Sequence, residues 1–175
     1  APDLTAQELD QEVIIYVTNR QGQGAGTNYD SIPEDYAEID PIILSLGDTT
    51  YDPYYRFQGY QIYQLKNAEV GPDELDITSR ARLVAQCDKK DGIGQMINFP
   101  IDPDLGFPIA TEMVNGADNG IQHSFKITED AFAQGTNKNL INHKKYYYMA
   151  IAYAHNYYKE FQFGGDGQQY PYLAG

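Results

Sequence analysis

Asn142-His143-Lys144-Lys145-Tyr146-Tyr147-Tyr148-Met149-Ala150-Ile151-Ala152-Tyr153-Ala154-His155-Asn156 is the longest run of β-favouring residues in the chain. Its apolar positions fall on both parities. Tyr146, Tyr148, Ala150, Ala152 and Ala154 share one face, and Tyr147, Met149, Ile151 and Tyr153 share the other, as in a strand covered on both sides. Ala and Met also favour a helix, but the tyrosines and the β-branched Ile151 weigh toward a central strand of a sandwich.

Further strands are spelled out on either side. Glu12 to Asn19 is a β-branched run ended by Asn, and residues 1–10 read as a polar lead-in to it. Tyr55 to Leu65 is a second strong strand, in which Gly59 suggests a bulge or a close backbone approach. Ile77 to Asp88 supplies a third, centred on Leu83, Ala85 and Cys87, and the Asp91-Gly92 turn after it suggests a hairpin. His123 to Thr128 alternates Phe125 and Ile127 with polar residues, which marks a strand with one wet face. Lys159 to Phe163 is the expected last strand, broken by Gly164-Gly165. Two stretches, 20–54 and 93–120, are punctuated by proline, glycine and Asp without a sustained period, and read as long loop excursions. No strand–helix alternation suggests a parallel sheet.

Composition bounds the function. The 175 residues suit one domain, 1–175, with sizeable loops. A net charge of −13 argues against nucleic acid and anionic membrane partners, which are recognised through Lys and Arg. No apolar segment approaches a membrane span, so membrane insertion is not expected. The single Cys87 excludes an internal disulfide, and its alternating setting reads as a buried structural thiol. Both ends read as cuts through a longer polypeptide.

Leu140 precedes Tyr146 by six residues, and inward residues follow at every second place; Phe57-Gln58-Gly59-Tyr60-Gln61-Ile62-Tyr63 carries an apolar-x-Gly-Tyr-x-apolar-x-Tyr pattern. Together these resemble a fibronectin type III domain, an immunoglobulin-like antiparallel sandwich. Its F strand holds a tyrosine corner and its C strand the second pattern. Closer still, residues 55–64, residues 144–153 and the trailing Pro171-Tyr172-Leu173-Ala174-Gly175 resemble modules of very large secreted or cell-surface proteins of Bacteroidetes-type bacteria. The chain departs from the family in lacking the core Trp of the B strand and in its long B–C and C′–E insertions. The resemblance implies an all-β extracellular or cell-surface module and says nothing of an activity; the sparse chemistry motifs favour a non-enzymatic one. It implies structural roles for Leu140, Tyr146, Phe57, Tyr60 and Ile62, and neighbouring modules of the same chain or other protein subunits as partners.

Motifs for chemistry are sparse. His123, His143 and His155 sit on separate segments with no zinc spacing, and Gly22-Gln23-Gly24-Ala25-Gly26 lacks the strand–helix frame of a nucleotide loop. No cofactor is expected. The acidic residues Glu34, Asp35, Glu38 and Asp40, with Asp102 and Asp104 around Pro103, are hard oxygen ligands of the kind that suit calcium, although neither stretch completes a calcium loop. Tyr29, Tyr36, Tyr157 and Tyr158 are candidate partner contacts. These readings favour a module for spacing, assembly or adhesion. The alternative is a carbohydrate-binding module whose loop tyrosines meet glycans.

Overall fold

The computed structural model describes residues 2–18, 34, 37–165 and 167–174. It is all-β with antiparallel sheets, as the sequence predicts. The chain forms two compact units, one from Ala1–Pro33, Tyr60–Cys87 and Ile121–Ile151, the other from Glu34–Gly59, Asp88–Gly120 and Ala152–Gly175. Two strands, β4 (Tyr54–Leu65) and β9 (Tyr147–His155), run through both.

The first unit contains a three-stranded sheet. β1 (Asp3–Leu9) and β2 (Glu12–Thr18) form a hairpin closed by Asp10 and Gln11, and β8 (Ser124–Ile127) pairs with β2's other side. Val13, Ile15 and Val17 are buried, and Ile127 and Phe125 stand opposite the first two. Such cross-strand pairs on one face are the unit of sheet stabilisation. Ser124 and Lys126 take the wet face of β8, as their alternation predicts. Residues 1–10 are therefore not a mere lead-in. β1 buries none of its seven residues, so it carries no apolar pattern from which a strand could be read.

The same unit holds the second half of β4, most of β5 (Ala81–Asp88) and the first half of β9. Leu65, Val70 and Ala81 make a buried cluster against which Tyr147 and Met149 pack. Tyr60 and Ile62 are fully buried, and the Tyr60 ring meets His123 edge-on at 6.3 Å. Buried glutamines punctuate β4, and Gln64 donates to the Asp130 carboxylate at 2.8 Å while accepting from the Ala131 N–H. Burial without partners would be costly for such amides. β5 starts at Ala81, four residues later than its pattern suggests, and Leu83 at its expected centre is exposed while Cys87 is a buried free thiol. It pairs with β4, so the hairpin expected at Asp91-Gly92 does not form.

The second unit contains β3 (Ala37–Ile39), the helical turn α1 (Pro41–Ser45), β6 (Gln95–Asn98), β7 (Thr111–Asn115) and β10 (Tyr172–Ala174). β3 pairs with the start of β4, and β10 pairs with the end of β9. The larger sheet has the order β10-β9-β4-β3, with β5 also on β4. Met96, Val114, Tyr153 and Tyr172 form the unit's buried cluster. Both loop excursions thus carry structure: β3 and α1 in 20–54, β6 and β7 in 93–120. Their strands are three to five residues long and separated by prolines, too short to show a period. The expected last strand, Lys159 to Phe163, is also corrected: Glu160 makes one isolated bridge to Gln168, and β10 is the last strand.

Candidate interaction surface

The ladder of β6 and β7 does not stop at the strand ends. The Ile109 N–H donates to the Pro100 carbonyl at 2.9 Å, Ile101 bridges Pro108, and the Asp102 N–H donates to the Phe107 carbonyl at 3.0 Å. At the tip the Asp102 carboxylate accepts the N–H groups of Asp104 and Leu105, and Gly106 at φ 71° lets the chain reverse. Residues 95–115 are therefore one hairpin arm. Pro100 and Pro108 remove backbone donors along it, which blunts it as a template for strand pairing.

What the arm presents is apolar. Ile101, Leu105 and Phe107 are each more than half exposed, at 60%, 58% and 51%. At its base Phe99 stacks on Phe161 with centroids 4.5 Å apart, and Phe163, 70% exposed, stands edge-on to both. Phe99 is held in place by reciprocal bonds: its N–H donates to the Gln169 carbonyl, and the Gln169 amide donates back to its carbonyl. Large exposed apolar side chains grouped this way mark interaction surfaces more often than scattered ones do. The arm also carries Asp102, Asp104 and Glu112 and no Lys or Arg.

The root of the arm is knit by three aspartates. The buried Asp88 carboxylate accepts the Asp118 N–H, and the Asp118 carboxylate accepts the N–H groups of Asp91 and Gly92 at 2.8 and 2.9 Å. Asp91 in turn accepts the Gln58 amide on both oxygens and the Tyr157 hydroxyl at 3.0 Å. Gly116 is required beside Asp88, because a Cβ there would lie 2.2 Å from a carboxylate oxygen. Burial first, then the bond to Asp91, pushes the Tyr157 hydroxyl's pKa upward, so it stays a donor. Burial lowers the neighbouring His155, which is uncharged at neutral pH. The sequence gives no sign of this network, because it needs two segments about 30 residues apart to converge, the one after β5 and the one after β7.

The candidates from sequence fare differently. Asp40 is the N-cap of α1: its carboxylate accepts from the Ile42 and Ile43 N–H groups and from the Gln168 amide at 2.8 Å, so its oxygens serve the fold. Asp40→Ala is accordingly expected to cost about 1–2 kcal/mol in thermal or chemical unfolding; an unchanged midpoint would remove the cap from the account of this loop. Asp102 and Asp104 sit in the arm's tip turn, Glu38 lies on β3, and Asp35 lies outside the described residues. Among the described residues no three His, Cys, Asp or Glu side chains are grouped to hold a metal ion. Tyr158 is buried, with its ring edge-on to Tyr51 at 5.0 Å, which withdraws it from partner contact. Tyr157 is 44% exposed, and Tyr29 and Tyr36 lie outside the described residues. Leu140 is buried, and the Tyr146 hydroxyl accepts the Ile141 N–H at 2.9 Å, returning to the backbone just upstream. Phe57 is buried in β4.

No protein-family model, curated protein or solved structure matches the chain.

Proposed function

We propose that the chain is a non-catalytic interaction module of a large extracellular or cell-surface protein, built as a fibronectin type III-like sandwich and meeting neighbouring modules or subunits through its hairpin arm. The single observation that carries this reading is the arm's ordered, apolar tip. A tip of exposed Ile101, Leu105 and Phe107 fixed by ladder hydrogen bonds is costly to maintain in water unless something covers it. Two further observations support the fold part. The strand orders β1-β2-β8 and β10-β9-β4-β5 correspond to an A-B-E sheet and a G-F-C-C′ sheet of such a sandwich. The Leu140–Tyr146 corner supports the F-strand assignment of β9.

The test is the triple substitution Ile101→Ser, Leu105→Ser and Phe107→Ser in the parent protein. Because the three side chains are exposed, the melting temperature of the isolated chain is expected to stay within a few degrees of the native one. Assembly or adhesion of the parent at the cell surface, read by fractionation and by a binding assay, is expected to fall severalfold. An unaltered parent would sink the reading.

A further inference from the structure

β4 lies along one edge of β9, and β10 takes the other edge only at Tyr153, Ala154 and His155. Which backbone groups are left open follows from parity. The Asn156 N–H donates to the Pro171 carbonyl at 2.9 Å, so the even-numbered residues of β9 turn their N–H and C=O toward β10's side and the odd-numbered ones toward β4. Tyr148, Ala150 and Ala152 therefore offer backbone groups along an edge that no described strand occupies, and no described turn or side-chain hydrogen bond reaches them there. Ala150 is 3% exposed, so water satisfies its groups poorly. Nothing blunts this edge, because Tyr147 to His155 holds no proline, Lys or Arg.

In the first unit an open groove of about 650 Å³ adjoins the Tyr147 end of β9. Tyr146 to Tyr148 bound it on one side and Ala6, Glu8 and Leu9 of β1 on another. Ala6 and Glu8 stand opposite the buried Ile15 and Val13, on the face that β2 turns to its core, yet both are exposed. β1 therefore holds out an inner face that no described side chain covers. An edge with unpaired groups beside an uncovered sheet face fits one kind of occupant, an extended strand. Its backbone meets the edge and its side chains enter the groove.

We propose that a strand of the parent protein's own polypeptide, running on from β10, completes this edge. β10 is antiparallel to β9 and places Ala174 opposite Tyr153, so the rungs next in its path are Ala152, Ile151 and Ala150. Tyr148, five places back along β9, meets the fifth residue past Ala174. A strand tethered at Ala174 pairs at a high effective concentration that a separate peptide lacks, which favours the same polypeptide over a second molecule. The connection to the neighbouring module is then part of the sheet, and so a stiff one. This rests on the reading of the chain as a module of a larger protein, and it does not depend on the arm.

Residue-resolved hydrogen exchange tests it on two chains, residues 1–175 alone and the same residues lengthened by the parent's next ten or so, about one long strand. The Tyr148, Ala150 and Ala152 amides are expected to exchange at least about 10-fold more slowly in the longer chain. Its melting temperature is expected to rise by several degrees. The Met149 and Ile151 amides, turned toward β4, are the internal control and change less. Prolines at the added residues opposite Ala150 and Tyr148 remove the pairing donors and are expected to abolish the slowing. The arm variant of the longer chain is expected to keep it, which separates failure of this proposal from failure of the docking role. Equal exchange in the two chains would overturn the proposal, as would slowing that survives the prolines. So would slowing in the shorter chain that appears only as its concentration is raised, the mark of a second copy.

Discussion

Tyr153→Ala is expected to lower stability by about 3–5 kcal/mol, seen as a fall of about 10 °C or more in melting temperature. Tyr153 is 1% exposed at the centre of the second unit's cluster, with its ring 5.6 Å from that of Tyr172 and with Met96 and Val114 in the same cluster. Truncation removes the ring's burial and leaves a cavity bounded by strands β6, β7, β9 and β10, which relax only in part. The exposed Ile42 provides the contrast: Ile42→Ala, at a site 68% open to water, should shift stability by less than about 0.5 kcal/mol. Near-ultraviolet circular dichroism during melting reads both. Equal midpoints for the two variants would mean that this cluster does not hold the unit together.

Lys144→Met should cost about 2–3 kcal/mol at neutral pH, with the half-exposed ammonium keeping the loss at the lower end for a buried pair. Its partner, Asp130, is 2% exposed. Burial is the largest influence on that carboxyl and pushes its pKa up, but the bonds from Lys144 at 2.6 Å, Gln64 at 2.8 Å and the Phe132 N–H together outweigh it and hold the value below the usual carboxylate range. The sign of the pH dependence follows. A carboxyl lowered by folding gives stability that is fully present above its unfolded pKa of about 4 and is lost as pH falls through the folded value. Without the ammonium, burial is opposed only by neutral donors, so most of this acid-side stability disappears. Urea midpoints across pH should therefore show native and Lys144→Met chains converging in acid and separating toward neutral pH. A gap constant with pH would show that Lys144 acts through packing instead.

The contrast between what was legible and what was not is clearest along single strands. β9 was readable because β-favouring residues on both parities can satisfy only a strand covered on two sides, and Ala150, Ile151, Tyr153 and Ala154 are all buried. β4 was readable for the same reason, with burial unbroken from Phe57 to Ile62. β1 was not, since an edge strand with no buried side chain carries no pattern. The arm was also missed as an arm, because its strands are short and its prolines read as loop. Its exposed Ile101, Leu105 and Phe107 look, in sequence, like any apolar residues awaiting a core.

By itself, then, the sequence determined the all-β class, the central strands and the buried thiol of Cys87, all of which rest on periodicity. Tertiary structure alone decided which carboxylates serve the fold and which stay open. Asp40 is occupied by Gln168 and Asp130 by Lys144 and Gln64, while Glu8 stays exposed on β1. A carboxylate's role depends on which donors reach it from other segments, and pairing across 14, 66 or 128 residues leaves no local trace in composition or spacing.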